Sequence, residues 1–166
     1  MSRNRVAAAA AAVAGLTLGV VALPSAAQEP PPPIAAEPLT ARAVFPDDVD
    51  LKIKLKPDGR ATAVVGVEDP SHTVVVRYTV QPGAQFPWHS HTGPVVVNIV
   101  SGALTYVDAE TCTERTYTAA QAFVDPGQGH VHSAFNPTSS PTVFIATFFD
   151  APAEGSLLIP ATPAVC

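Results

Sequence analysis

The sequence predicts an all-β protein folded as one sandwich or barrel domain. Past the N-terminal segment, short apolar runs alternate with turn residues, and no stretch repeats with a helical period. The 166 residues include 18 prolines and 10 glycines, which leave little room for long helices. With 47% hydrophobic residues the chain can bury one real core. Charged residues are only 14% and the net charge is −5, a balance that argues against a nucleic-acid-binding face.

The first element is read as an export signal. Arg3 and Arg5 form a basic head, Val6 to Leu23 run without a charge, and Pro24 breaks the run ahead of the small residues Ser25-Ala26-Ala27. This pattern predicts a signal peptide over residues 1–27, cleaved after Ala27. An uncleaved membrane anchor is the competing reading, but the run is Ala-rich and ends in a good cleavage site. Cleavage removes two arginines and no acid, taking the net charge from −5 to −7. The mature protein is expected to be secreted or otherwise extracytoplasmic, with no further membrane segment. Residues 28–43 hold Pro30-Pro31-Pro32-Pro33 and Pro38, which favour polyproline II and predict a semi-rigid linker; a Pro-rich partner motif is the alternative.

The β domain is expected over 44–166. Leu51 to Leu55 alternates as a half-buried strand should, with Lys52 and Lys54 on one face. Lys56-Pro57-Asp58-Gly59-Arg60 then reads as a hairpin turn, followed by a strand over Ala61 to Val67. Thr73 to Val80, Val95 to Val100, Ala103 to Val107, Arg115 to Thr118, Ala122 to Val124, Val131 to Phe135 and Thr142 to Phe149 complete roughly nine short strands between Pro and Gly turns.

Cys112 and Cys166 are the only cysteines, so a thiolate metal cluster is excluded. In an exported chain they are expected to pair and tie the C-terminal tail to the loop holding Cys112, a closure of roughly 4 kcal/mol on the chain-entropy model. Free thiols, or pairing with another protein, are the alternatives.

Four of the five histidines fall in two His-x-His pairs, His89-Ser90-His91 and His130-Val131-His132. On a strand, residues two apart share a face, so two such pairs aimed inward would meet on one point. Imidazole suits Zn, Mn, Fe, Cu or Ni, and three rings leave an open position for water or substrate. The sequence therefore predicts one divalent transition metal as cofactor.

At these residues the chain resembles the cupin family. Gly83, five residues, His89 and His91, and then Gly102 follow the spacing of the first cupin motif. Gly129, His132 and Asn136 follow that of the second. The resemblance covers about residues 70 to 150. Pro87-Trp88-His89-Ser90-His91 and Phe123-Val124-Asp125-Pro126-Gly127 also make the chain look like small exported actinobacterial cupins. It implies a cupin-type double-stranded β-helix, or jelly-roll barrel, with His89, His91 and His132 as metal ligands and Asn136 structural. Cupins often pair through strand addition, so the resemblance also allows a homodimer.

Two departures from the motifs stand out. Gly127 occupies the place of the motif proline, and Val95 or Val96 occupies that of the motif glutamate, with no carboxylate between Thr92 and Val107. An ion on three neutral ligands keeps its double charge and favours a small anionic or chelating molecule. Phe86, Trp88, Tyr106 and Gln128 are candidates for the substrate pocket, against the plainer readings of core packing for the aromatics and a solvated loop for Gln128 and Gln85. His130 either points into the cavity as an acid/base or faces solvent; His72 reads as an exposed turn residue. Three functions compete: a metal-dependent oxidoreductase of the dioxygenase type, which has precedent among three-histidine cupins; a non-catalytic small-molecule binding barrel; and a hydrolase or lyase that uses a metal-activated water. Export into an oxidising space disfavours reliance on Fe(II), and the sequence leaves turnover open.

Overall fold

A computed structural model describes residues 33–56, 62–163 and 165–166, and no helix occurs among them. The export signal, its cleavage site and the Pro57–Arg60 turn lie outside these residues. The strands are β1 (Ile34–Pro38), β2 (Asp50–Leu55), β3 (Ala63–Glu68), β4 (Thr73–Val80), β5 (His89–Ser90), β6 (Val95–Ser101), β7 (Ala103–Asp108), β8 (Glu114–Thr118), β9 (Ala122–Asp125), β10 (His132–Phe135), β11 (Thr142–Phe149) and β12 (Ile159–Pro160).

Ten of them form two five-stranded antiparallel sheets, ordered β1-β4-β11-β6-β9 and β12-β5-β10-β7-β8. From β4 onward the chain passes back and forth between them: β5 leaves the first sheet, β6 returns, β7 and β8 leave, β9 returns, β10 leaves and β11 returns. This traffic between sheets is that of a jelly-roll. The shortest crossing is the single residue Gly102, whose φ of 76° suits glycine and where a Cβ would collide with Thr142.

Alternation along the strands builds the core. Val74, Val76, Tyr78 and Val80 of β4, Val95, Val97 and Ile99 of β6, and Phe144, Ala146 and Phe148 of β11 point inward from the first sheet. Leu104 of β7 and Ala134 of β10 meet them from the second. Each large side chain so buried stabilises by about 1.5–3 kcal/mol, which is why period-two patterning dictates which face is inside.

The structure corrects the linker. Residues 34–38, expected within it, form an edge strand whose whole length pairs with β4, and Gln81 donates to the Pro33 carbonyl beyond it. Proline is tolerated there because Pro38 ends the strand at the sheet edge, where no inner ladder needs its missing N–H. Two further strands, β5 and β12, are only two residues long. The expected hairpin is present as a separate two-stranded sheet, β2-β3, with Lys52 and Lys54 exposed and Val65 and Val67 buried.

The C-terminal segment is fastened at several points. Arg42 donates to the carbonyls of Pro152 and Gly155, β12 pairs with β5, and Ala161 donates to the Trp88 carbonyl. Cys112 and Cys166 form the expected disulfide, with Cα atoms 5.5 Å apart.

Candidate metal centre

His132 opens β10 and sits directly opposite His89 of β5 on one side and Asp108 of β7 on the other. His91 follows His89 by two residues and returns to the same face. The three rings therefore converge: their centroids are 4.9 Å (His89–His91), 4.2 Å (His89–His132) and 5.1 Å (His91–His132) apart. Their ligand nitrogens all lie within 4.8 Å of one another, and all three residues are buried.

The backbone fixes which nitrogen is offered. Nδ1 of His89 is 2.7 Å from the Pro87 carbonyl, and Nδ1 of His91 is 2.8 Å from that of Leu157. A carbonyl only accepts, so Nδ1 carries the proton in each neutral ring and Nε2 keeps the lone pair a metal needs. His132 Nδ1 lies 3.1 Å from Asp125 Oδ2 and a longer 3.5 Å from the His130 carbonyl. Burial, and then the nearby His132, pushes His89 down to about 3; burial, and then His91, does the same to His132, and burial lowers His91. All three rings are thus neutral near pH 7, as ligands must be. This donor set fits a divalent transition metal.

Around the rings lies a second layer. Asp125 ends β9, 1% exposed, opposite Val95. Its Oδ2 accepts from the Tyr106 hydroxyl at 2.6 Å and its Oδ1 from the Gly127 N–H at 2.8 Å. Burial, and then Asp125, pushes the Tyr106 phenol far above its ordinary range, so it stays a neutral donor. The Tyr106 ring stacks on His132, with centroids 4.9 Å apart and planes 17° from parallel.

His130 stands outside the ligand cluster. Its ring is 6.5 Å from that of His132, its Nε2 is 3.5 Å from Asp108 Oδ2, and its buried Nδ1 has no hydrogen-bond partner among the described residues. Asp108 holds the loop after β7, its Oδ1 accepting from the backbone of Glu110 and Thr111 and from the Thr111 hydroxyl.

Between the sheets His89 and His91 border a cavity of about 40 Å³, also lined by Phe86, Leu104, Phe144 and Phe148. A groove of about 410 Å³, bordered by Ile34, Pro38, Arg42 and Leu157, shares Tyr78, Phe86 and Leu158 with it. Of the pocket residues read from the sequence, Phe86 lines both spaces and Tyr106 touches a ligand ring. Gln128 does not face the cavity. It is exposed, in a left-handed conformation, and its Nε2 donates to the Gly66 carbonyl of β3 at 2.7 Å. Trp88 is half-buried and borders neither space; its backbone carbonyl accepts from the Ala161 N–H, just past β12. Gln85 donates to Ser133 Oγ, and His72 is half-buried against Ser71 rather than exposed. Asn136 is structural, its side chain bonding Val80, Thr138 and Ser140. Sequence reasoning missed Asp125 and Asp108. The signal available for Asp125 was its two-residue spacing from Phe123, which puts both on the inner face of β9.

No family model and no curated protein sequence matches the chain. Among solved structures it is similar to a cupin-2 domain protein from Shewanella frigidimarina, at 18% identity and a TM-score of 0.40 over 46% of this chain and 70% of that one. A polyketide cyclase from Streptomyces resistomycificus gives 16% and 0.48 over 78% and 80%. The cupin-2 domain of a transcriptional regulator from Enterobacter cloacae gives 19% and 0.46 over 72% and 98%. The fold class follows from the strand order itself. With two five-stranded sheets exchanging strands along the chain, and histidines of both motifs meeting between them, this is a jelly-roll domain of the double-stranded β-helix class, the fold that the resemblance to cupins implies.

Proposed function

We propose that this domain holds one divalent transition metal on His89, His91 and His132 and there binds a small anionic, chelating molecule outside the cytoplasm. The observation that carries the reading is the convergence of three buried neutral imidazoles, two of them locked by backbone carbonyls with Nε2 left to coordinate. When bound, such an ion supplies a Lewis acid with open positions for oxygen donors. The chain's own residues orient and shield. Phe86 and Phe148 limit water around the rings, which strengthens any charge interaction inside. The cavity of about 40 Å³ admits only a small head group, so a larger body would rest in the neighbouring groove, whose rim carries the Arg42 cation. Location outside the cytoplasm draws support from the disulfide.

A second reading is a hydrolase or lyase. It is favoured by the His130–Asp108 pair, an acid/base candidate one residue-row from the ligands. The test has two stages. Metal analysis of the purified protein should find one equivalent of a transition metal; less than about a tenth, with none gained on Zn(II) titration, defeats the reading. Calorimetry with oxalate, a compact chelating dianion, should then show binding to the metal-loaded protein and none to the stripped one. Ester and carbonate assays on wild type and His130→Ala examine the second reading.

A further inference from the structure

We propose that Asp125 is a positioning residue of the metal centre, fixing the proton of His132 and supplying from β9 the negative charge that the chain lacks at Val95. The inference rests on the metal reading above and adds to it a residue that no motif assigns.

Three observations carry it. The first concerns fastening. His89 and His91 each hold a backbone carbonyl at 2.7–2.8 Å, whereas the nearest carbonyl to His132 Nδ1 is 3.5 Å away. The Asp125 carboxylate comes closer, its Oδ2 3.1 Å from the same Nδ1 in an ion-pair contact beside that longer carbonyl bond. The second concerns aim. Asp125 is gripped from two sides, Oδ2 by the Tyr106 hydroxyl and Oδ1 by the Gly127 N–H. Gly127 is itself fixed, because its left-handed φ of 61° and its close approach to the Gly93 carbonyl leave no room for a side chain. The third concerns charge. Asp125 is 1% exposed, and among the described residues no lysine or arginine pairs with it; its ion-pair contact is with the His132 ring. A buried carboxylate with hydrogen bonds but no countercharge is expensive. A cation held on the far nitrogen of His132 supplies the countercharge. Because Asp125 is the cross-strand partner of Val95, the acid reaches the site from the neighbouring strand at the same level.

The substitution Asp125→Asn separates charge and proton placement from shape. An asparagine can turn its oxygen toward His132 or toward the Gly127 N–H but not both, so one donor faces another. With the amide NH2 facing His132, the ring proton moves to Nε2 and the coordinating lone pair is lost.

The experiment uses the whole protein. Zn(II) and Co(II) affinities of wild type and Asp125→Asn are measured by competition with a chromophoric chelator. The Co(II) absorption spectra are recorded, with circular dichroism to follow folding. Asp125→Asn is expected to bind about 10–100-fold more weakly with an altered Co(II) spectrum. A folded Asp125→Asn protein with wild-type affinity and spectrum overturns the proposal while leaving the three-histidine reading intact. Wild-type protein that binds neither ion overturns the metal reading itself. Should the variant not fold, nitrogen-15 NMR of metal-free wild type decides: the proposal requires His132 to carry its proton on Nδ1, and a proton on Nε2 overturns it.

Discussion

The two His-x-His segments have the same spacing in the sequence and different fates in the fold. In His89-Ser90-His91 both rings enter the site, 4.9 Å apart and each held by a carbonyl. In His130-Val131-His132 only the second enters; the rings are 6.5 Å apart and His130 turns to Asp108. The difference lies in the backbone before each pair. The second follows Gly127, Gln128 and Gly129, three successive residues with φ of 61°, 52° and 87°. His130 belongs to that left-handed turn, and its N–H bonds back to the Gly127 carbonyl. Extended alternation begins only near His132. The same-face rule for residues two apart holds within extended chain and fails across a turn.

Four measurements break or sharpen this contrast. His132→Ala removes the one ligand that the second pair contributes, and metal affinity should fall by about a thousandfold or more. A loss no greater than that of His130→Ala would erase the distinction between the two residues.

The first pair depends on the tail through the Leu157 carbonyl. Replacing both Cys112 and Cys166 by Ser should cost up to about 4 kcal/mol in urea unfolding. An unchanged midpoint would show that the Arg42 and β12 contacts alone hold the tail.

Acid probes the burial of the rings that each pair sends into the site. In the metal-free protein His89 and His132 have pKa values near 3 in the fold against 6.5 in the open chain, so below pH 6.5 the unfolded state binds more protons. Stability is then lost as the pH falls from 6.5 toward 3, by about 2 kcal/mol per ring at pH 5. An apo-protein as stable at pH 5 as at pH 7.5 would contradict the burial of the rings.

The smallest effect is expected for His130→Ala. It should leave metal affinity within about threefold of wild type, since the ring is not a ligand. A tenfold loss would place it nearer the ion than the geometry does.

The sequence made most of this fold legible, and the exceptions have a physical pattern. Nine strands with regular alternation or unbroken β-branched runs, such as Thr73–Val80 and Thr142–Phe149, appear where they are expected. Those that escaped, β1, β5 and β12, are short or proline-bearing pieces whose existence depends on a partner strand rather than on their own periodicity. The ligands were legible because motif spacing is local. Asp125 was not, because it reaches the site through the pairing of β9 with β6, and the sequence left Gln128 between pocket and solvated loop because its partner, Gly66, lies 62 residues away.

The Leu157 carbonyl that aims His91 lies 66 residues further along the chain. A nascent polypeptide that has emerged only as far as β11 already contains all three imidazoles, yet one of them has nothing behind it to choose its tautomer. The ring geometry described here is therefore completed late in biogenesis, when the segment around Leu157 folds back onto β5. A fragment truncated before Leu157 would keep every coordinating residue and still lack a finished site.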